Sequence, residues 1–435
     1  MAKITFIGAG SIVFAKGLLV DILSFKALEG ATISLMDIDP KRLDLMKHLA
    51  DKIVIQEGFR ASVEATTDRR KAIAGSDYVI NMIQVGGLDA FRKDISIPSN
   101  YGIDQAVGDT LGPGGVFRGL RTIPVLLDIL RDMEELCPDA LFLNYANPMA
   151  INCWAINTAS GIRNVGLCHS VQNTAKDIAD YIGAPLEEVS YKCAGINHMC
   201  WFLEYKWRGR DAYPLLKEKY NNEKIYNRDI VKFEVLKHFG YFVSESSYHM
   251  SEYVSYFRKS KKWLEKIRGM DSWLKECDGS YYNQCAKLNS SFYEDMEEVL
   301  VQDKILTERT HEYAAYIINA METGEPTVIY GNVVNNGLID NLPGECIVEV
   351  PCLVDKNGIQ PVKMGKLPPQ LAALNKTNVN VQGLAVEGAL SGNKDIVCQA
   401  VMMDPLTSSV LTMPEIHRMV TEMFEAEKEY LPQFK

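Results

Sequence analysis

Residues 3–11, KITFIGAGS, decide the fold class of this chain. An apolar strand-like run at 3–8 passes into a glycine-rich turn, and residues with helical apolar spacing follow. A second apolar run at 33–36 ends in Asp37. A strand, a glycine-rich turn, a helix, a strand and an acid form the dinucleotide-binding unit. The pattern therefore predicts a nucleotide site at the start of the chain, although an unrelated α/β domain can also carry a glycine-rich turn.

The residues of this unit have distinct expected roles. Gly8 permits the tight turn, and Gly10 lets the backbone approach a pyrophosphate at the helix N-terminus, with Ser11 beside it. Asp37 is placed to accept hydrogen bonds from the adenosine ribose, and its charge would repel a 2′-phosphate. Val13 stands where the usual fingerprint has a third glycine, so the motif is incomplete. The pattern favours NAD over NADP as the cofactor.

Strands and helices continue to alternate through the first half of the chain. We predict further strands and helices from apolar runs and helical periodicity: strands at 78–83, 140–145 and 164–168, and helices at 40–57, 118–136 and 170–183. This alternation predicts an α/β fold, with a Rossmann-like doubly wound parallel sheet in an NAD-binding domain at residues 1–195. Ligands of such sheets bind at the carboxyl ends of the strands.

The second half is less regular and richer in aromatic residues. We expect antiparallel strands within 327–354, a helix-rich segment at 378–402 and an amphipathic helix at 414–430. Residues 196–435 are therefore predicted to form an α+β catalytic and oligomerisation domain. Residues 239–257, FGYFVSESSYHMSEYVSYF, form either packed aromatic core or contacts to a hydroxyl-rich ligand.

Length and composition exclude several classes of function. The 435 residues are enough for two joined domains, 47% of them are apolar, and the net charge is −10. This acidic balance argues against nucleic acid or an anionic membrane as the partner. No apolar run approaches the roughly 18 residues that a membrane span needs. The N-terminus lacks the pattern of an export signal, so the ten cysteines are expected to be reduced thiols in a cytoplasmic protein.

Two polar clusters follow strand-like runs. Cys168 and His169 end one run, and Asn197 and His198 end another. We expect both clusters near a nicotinamide ring, because the carboxyl ends of parallel strands share one edge of a sheet. Since thiols and imidazoles bind metals, the pattern predicts a metal ion beside a hydride-transfer site. Alone, Cys168 could equally be a buried structural thiol.

Residues 98–117, PSNYGIDQAVGDTLGPGGVF, are rich in glycine and carry Asp109. One interpretation is a mobile lid, because glycine-rich connections are often mobile. The other is that the segment holds Asp109 near the cofactor as an orienting charge.

Seven motifs are spread along nearly the whole chain. They are ITFIGAGS at 4–11, GPGGVFRGLRTIP at 112–124, NYANPM at 144–149, LCHSVQ at 167–172, GINH at 195–198, QGLAVEGALSGNKDI at 382–396 and DPL at 404–406. Together they resemble the family-4 glycoside hydrolases, the NAD- and metal-dependent glycosidases. The CHSV form at 168–171 is similar to that of the α-galactosidases of this family, whereas α-glucosidase-like members tend to show CHE.

The resemblance implies roles for matching residues. Cys168 and His198 match the metal ligands of the family, whose metal is manganese or another divalent ion. Tyr253, in SEYVSYF, falls where members carry a general base, and Asp109 matches an acid that raises the basicity of that base. Asn147 matches a substrate-binding residue.

Two further residues are candidates. His169 stands where some members carry an aspartate proton donor, so it could be the catalytic acid, a substrate contact or a structural residue. Arg92 is a candidate substrate-binding cation. Members of the family are commonly dimers or tetramers, so the resemblance also implies a homodimer or homotetramer.

The resemblance implies a redox-assisted elimination on α-galactosides of the melibiose and raffinose type. Transfer of the C3 hydride to NAD creates a ketone, which acidifies the C2 proton, and a metal on O2 and O3 stabilises the resulting charge. A base takes the C2 proton, and the glycosidic bond breaks with help from an acid. Water then adds to C1, and the proton and the hydride return. NAD is regenerated in every turnover.

Three alternatives remain open. The sugar could be an α-glucoside or an α-hexuronide, or a phosphosugar if a cationic pocket exists, because a few contacts set sugar specificity. The protein could be a net dehydrogenase of hydroxy acids, with Arg92 clamping the carboxylate and His198 as the catalytic histidine. It could also be an NAD-responsive regulator without turnover.

Overall fold

A computed structural model of the chain describes residues 1–11, 15–270 and 279–434, so Val13 lies outside the described residues. Twelve strands occur in the described part: β1 (Lys3–Ile7), β2 (Thr32–Met36), β3 (Ser62–Thr66), β4 (Tyr78–Asn81), β5 (Leu141–Asn144), β6 (Asn164–Leu167), β7 (Val189–Ile196), β8 (Met199–Trp207), β9 (Arg210–Asp211), β10 (Thr327–Val334), β11 (Ile347–Asp355) and β12 (Gly358–Pro361). They form one sheet in the order β3-β2-β1-β4-β5-β6-β10-β11-β7-β8-β9, and β12 pairs with β11.

Helices connect and cover these strands. Those of the first half are α1 (Ala15–Leu23), α2 (Pro40–Glu57), α3 (Arg69–Ile73), α4 (Gly87–Asn100), α5 (Gly112–Leu136), α6 (Met149–Ala159) and α7 (Ser170–Ile182). Those of the second half are α8 (Tyr213–Glu218), α9 (Glu223–Tyr226), α10 (Ile230–Phe239), α11 (Ser247–Tyr253), α12 (Lys261–Arg268), α13 (Ser280–Val301), α14 (Tyr313–Thr323), α15 (Pro369–Ser391), α16 (Lys394–Met403), α17 (Pro405–Val410) and α18 (Met413–Glu427).

The first six strands have the order of a dinucleotide-binding fold. β1 pairs in parallel with β2 and β4, and the parallel pairing continues to β3 on one side and to β6 on the other. The resulting order, 3-2-1-4-5-6, is that of the Rossmann fold. The strands β4 and β5 are buried along their whole length, because a covered parallel sheet buries both of its faces. The predicted α/β fold with a doubly wound parallel sheet is confirmed.

Strands from the second half continue the same sheet. β10 lies antiparallel to β6, β11 lies antiparallel to β10, and Glu349 of β11 pairs with Gly195 of β7. The hairpin of β7 and β8 turns through Asn197 and His198. The sheet order therefore places this turn and Cys168 on one continuous sheet, although two strands from much later in the chain lie between them.

Most of the predicted elements agree with the structure. The helices predicted at 40–57 and 170–183 correspond to α2 and α7, and the strands predicted within 327–354 are β10 and β11. The helical segment predicted at 378–402 overlaps α15 and α16, and the one predicted at 414–430 overlaps α18, which ends at Glu427. Helix α2 begins where it was expected because Asp39 accepts hydrogen bonds from the N–H groups of Lys41 and Arg42.

The glycine-rich segment 98–117 is not one loop. α4 continues to Asn100 and α5 already begins at Gly112. A Cβ atom on Gly114 would lie 2.6 Å from the carbonyl oxygen of Asp94, and one on Gly115 would lie 2.5 Å from the carbonyl carbon of Thr110. These glycines therefore allow close packing of the backbone. The connection between the two helices is largely buried and includes Asp109.

One hydrophobic core spans both halves of the chain. It joins Phe6 and Leu143 of the parallel strands to Trp201 of β8, Tyr253 of α11 and Val348 of β11. Within the described ranges, no helix is both long and apolar enough to cross a bilayer.

Candidate active site

Three side chains of types that can bind metals meet at the carboxyl end of β6. Cys168 follows β6 directly, His198 lies in the turn between β7 and β8, and Glu245 lies just before α11. The distance from Sγ of Cys168 to Nε2 of His198 is 3.3 Å, and Nε2 of His198 is also 3.3 Å from Oε2 of Glu245. The three donor atoms lie within 4.8 Å of one another. A thiol, an imidazole and a carboxylate at this spacing can hold one divalent cation.

The charges of this cluster also suit a cation. Burial raises the pKa of the Cys168 thiol, so a nearby positive charge is needed to form the thiolate. Burial alone would raise the pKa of Glu245 too, but interactions with the imidazoles of His198 and His249 and with the N–H group of Ser246 lower it to about 2. The carboxylate is therefore ionised at neutral pH and ready to coordinate.

Cys168 and His198 are predicted from the sequence, whereas Glu245 is not. The signal was present, because Glu245 lies in the polar segment 239–257 that we considered as a ligand contact. Two features mark it in the structure: a left-handed backbone with φ +78°, which non-glycine residues rarely adopt, and its closeness to His198, whose φ is +62°. Neither feature can be recognised from the order of the residues.

Tyr253 ends α11 and is buried beside the cluster. The centroid of its ring lies 5.2 Å from that of His249 and 6.2 Å from that of His198. Burial, and then the charges of Glu245 and Asp109, raise the pKa of Tyr253 well above its ordinary value of about 10. A phenol in these surroundings stays protonated unless a cation is close to it. The adjacent donor set is where a cation could bind.

Asp109 and Asn147 come together, although they belong to different motifs. Nδ2 of Asn147 donates a hydrogen bond to Oδ2 of Asp109 at 3.2 Å, and Nη1 of Arg118 lies 3.6 Å from the same oxygen. Nε of Arg118 also donates to the backbone oxygen of Asn147 at 3.2 Å. Arg118 is not predicted from the sequence, because it lies within the motif at 112–124 but has no local feature that separates it from the other arginines of α5.

His169 lies next to Cys168 and precedes α7. Its Nδ1 is 3.2 Å from Oε1 of Glu312. This hydrogen bond, supported by the negative charges of Glu312 and Glu245, raises the pKa of His169 to about 9. The imidazole is therefore protonated at neutral pH and has a proton to donate.

The glycine turn after β1 packs against the acid that follows β2. The N–H group of Gly10 donates to Oδ2 of Asp37 at 2.7 Å, and the N–H group of Asp39 donates to Oδ1 of Asp37 at 2.9 Å. Gly8 has φ +84°, the left-handed conformation that favours glycine, and its carbonyl accepts from the N–H of Ser11 at 3.0 Å. The structure thus brings Asp37 against the turn that contains the other three predicted cofactor-binding residues, Gly8, Gly10 and Ser11.

The substitution Gly10→Ala is expected to weaken NAD binding by about tenfold, or about 1.4 kcal/mol. The new Cβ atom would lie 2.8 Å from Oδ2 of Asp37 and 3.0 Å from Cβ of Arg42, so the turn or the acid must move. Fluorescence titration of the protein with NAD measures the change. Gly344→Ala is the matched control, because a Cβ atom there meets no atom within 4 Å. An unchanged NAD affinity in Gly10→Ala would place the cofactor elsewhere.

Arg92 is not brought into this site. It lies on the exposed side of α4, where its Nη2 atom is 3.2 Å from Oδ1 of Asp89 on the same helix. The neighbouring Phe91 is buried instead, and the guanidinium of Arg118 lies over its ring at 5.4 Å.

Comparison with protein families gives two adjacent matches. Residues 3–184 match the model described as "Family 4 glycosyl hydrolase", and residues 193–407 match its C-terminal domain. The two matches together cover most of the chain and include every residue of the metal-type cluster.

Individual proteins are similar over their full length. The chain is 45% identical to an α-galactosidase of Bacillus subtilis (strain 168), with 100% of both sequences covered. It is 40% identical to an α-galactosidase of Rhizobium meliloti (strain 1021), with 99% of this chain and 89% of the relative covered. The structure resembles that of a 6-phospho-β-glucosidase from Thermotoga maritima with manganese, NAD+ and glucose-6-phosphate, with a TM-score of 0.81, 23% identity and coverage of 98% and 99% of the two chains.

Proposed function

Since the chain belongs to family 4 of the glycosyl hydrolases, we propose that it hydrolyses α-galactosides of the melibiose and raffinose type. The reaction would proceed by transient oxidation at C3, deprotonation at C2, elimination, addition of water and re-reduction. The observation that carries the choice of sugar is the full-length similarity to two α-galactosidases, at 45% and 40% identity.

We assign NAD to the turn at residues 8–11. The turn has no room for a side chain at Gly10, lies directly ahead of α1 in the chain, and packs against Asp37. These features fit a pyrophosphate and a ribose. When bound, NAD supplies a hydride acceptor that gives the hydride back within each turnover.

We assign a divalent metal, with manganese as our preference, to Cys168, His198 and Glu245. The three donor atoms fit a single ion, since they come from three segments of the chain and lie within 4.8 Å of one another. Glu245 adds an oxygen donor, which manganese prefers over sulfur and nitrogen. When bound, the metal supplies Lewis acidity toward the sugar oxygens.

The remaining residues would move protons and hold the sugar. Tyr253 is our candidate for the base that removes the C2 proton. Asp109 raises the pKa of this phenol and so strengthens it as a proton acceptor. The amide of Asn147, held by Asp109, would bind a sugar hydroxyl, and the protonated His169 would assist departure of the leaving group.

We also propose a cytoplasmic homodimer or homotetramer with no nucleic-acid or membrane partner. The location is supported by nine described cysteines that are free thiols, and Cys168 must remain reduced to bind a metal. The exclusion of polyanionic partners follows from the net charge of −10. Light scattering of the purified protein would measure the oligomeric state.

The function can be tested with p-nitrophenyl α-galactoside. The reduced protein is expected to release nitrophenol only when both NAD and Mn²⁺ are present, without stoichiometric formation of NADH. Removal of Mn²⁺ by a chelator should stop the reaction, and addition of Mn²⁺ should restore it. Nitrophenol and NADH absorbance are followed together in the same sample.

Other outcomes of this assay point to specific alternatives. Activity on the α-glucoside or α-glucuronide but not on the galactoside would keep the mechanism and change the sugar. Accumulation of NADH with turnover of a hydroxy acid would indicate a dehydrogenase. Binding of NAD without any turnover would indicate a regulator.

A further inference from the structure

His249 is a buried histidine of α11 that the proposed reaction leaves without a role. Its side chain is only 2% exposed, and its Nδ1 lies 3.0 Å from Oε2 of Glu252. Its Nε2 is buried and has no hydrogen-bond partner among the residues that the structure describes. A buried polar atom without a partner destabilises the folded protein, so this nitrogen calls for an explanation.

Glu252 determines which nitrogen of His249 carries a proton. Its carboxylate also accepts hydrogen bonds from the N–H groups of Val107 at 2.8 Å and Gly108 at 3.2 Å. Because the two main-chain partners are donors, Glu252 acts as an ionised acceptor, and we therefore assign the proton between it and His249 to Nδ1 of the imidazole. In the neutral imidazole the other nitrogen, Nε2, is then an acceptor.

His198 has a complementary buried nitrogen. Its Nε2 faces Cys168 and Glu245 at 3.3 Å from both donor atoms, so this nitrogen is the one available to a metal. Its Nδ1 is buried and, within the described part of the chain, also has no hydrogen-bond partner. When Nε2 of a histidine coordinates a metal, Nδ1 carries the proton and needs an acceptor.

The two imidazoles are in edge-to-face contact. Their ring centroids are 4.9 Å apart and their planes are inclined by 69°. A hydrogen bond of about 2.9 Å between two imidazole nitrogens places the ring centroids about 5 Å apart, so the observed separation is compatible with a bond from Nδ1 of His198 to Nε2 of His249.

We propose that His249 is a positioning residue for the metal-binding histidine. Its Nε2 accepts a hydrogen bond from Nδ1 of His198, while its Nδ1 donates to Glu252. The chain of His198, His249 and Glu252 fixes the orientation and tautomer of the metal ligand, as acceptors behind metal-bound histidines do. This proposal rests on the proposed metal site. It also connects that site to the segment that carries Asp109, because Glu252 holds the backbone of Val107 and Gly108.

Glu349 is the rival acceptor for Nδ1 of His198. It pairs with Gly195, three residues before His198, and its buried carboxyl group interacts with the backbone N–H of His198. We favour His249 because its ring contacts that of His198 and because Glu252 leaves its Nε2 free to accept. Glu349→Gln is therefore the matched comparison.

The test measures binding of Mn²⁺ alone to the full chain, without NAD or sugar. The electron paramagnetic resonance signal of free aqueous Mn²⁺ gives the dissociation constant. His249→Phe, which keeps a ring but removes both nitrogens, is expected to weaken binding by about 10- to 100-fold. His249→Gln places an amide oxygen near the position of Nε2 and should restore affinity to within a few-fold of the unmodified protein. NAD affinity, which depends on the distant turn at 8–11, reports whether each variant is folded.

Each outcome decides the proposal. Weak Mn²⁺ binding in His249→Phe, rescue in His249→Gln and unchanged NAD affinity support it. Unchanged Mn²⁺ affinity in His249→Phe overturns it, as does equal loss in the Phe and Gln variants with intact NAD binding. A larger loss in Glu349→Gln than in His249→Phe assigns the acceptor role to Glu349 instead. If the unmodified protein binds no Mn²⁺ at all, the metal assignment itself fails, which is a distinguishable result.

Discussion

The substitution Cys168→Ser is expected to lower turnover of the α-galactoside by about a thousandfold or more and to abolish stoichiometric binding of Mn²⁺. Serine is nearly isosteric with cysteine, but its hydroxyl does not ionise near neutral pH and offers the metal no negative donor. His198 and Glu245 would remain as the only two protein donors of the cluster. The thiol lies next to His169 and close to Tyr253. Loss of the metal from Cys168 therefore also removes the positive charge that Tyr253, the proposed base, needs in order to lose its proton.

Metal content after dialysis and kcat with added Mn²⁺ measure this effect. Cys398→Ser is the matched control, because it removes another largely buried thiol that lies in the hydrophobic cluster of α16 and α18. The control should retain both its metal and its activity. Retention of Mn²⁺ and of turnover by Cys168→Ser would remove Cys168 from the metal site and reduce it to a structural thiol.

The parts of the fold that could be predicted are those specified by local patterns. The parallel strands are short apolar runs followed by helices, and the caps of α2 lie within the residues that flank it. The beginning of α5 could not be predicted, because the sequence GPGG at 112–115 is typical of a loop. It is helical in the structure, where Gly114 packs against the backbone of Asp94. β3 was also missed, since SVEAT has few apolar residues and forms the edge of the sheet.

In the candidate site, too, the features specified by local sequence could be predicted and those that depend on long-range packing could not. Cys168 and His198 could be nominated because each follows an apolar strand. Their meeting depends on β10 and β11, which come about 130 residues after the β7–β8 turn and lie between β6 and β7 in the sheet. Such non-local strand pairing cannot be recognised from the sequence around Cys168 or His198. Glu245 was missed for this reason, since only the folded chain separates it from the other acids of its segment.

The substitution Tyr253→Phe is expected to lower kcat by about a thousandfold and to stop exchange of the C2 hydrogen with solvent. The phenylalanine ring can keep the edge contacts to His249 and His198, so only the hydroxyl is lost. Affinities for NAD and Mn²⁺ should therefore stay within about threefold of those of the unmodified protein. Turnover in D₂O measures the step directly, because galactose formed by proton removal and return acquires deuterium at C2. Tyr256→Phe, an exposed tyrosine three residues further on, is the matched control.

The combination of readouts separates a base from a residue that only packs. If Tyr253 supported the fold alone, the variant would lose NAD and Mn²⁺ binding together with activity, and the deuterium content of the residual product would be unchanged. If Tyr253 is the base, binding is retained and proton removal becomes the slow step, so a substrate carrying deuterium at C2 should react more slowly than its protiated form. Normal incorporation of deuterium by Tyr253→Phe at an undiminished rate would contradict the assignment. The base would then have to be another group of the site, and Asp109 would be the next to test, because its charge already acts on this phenol.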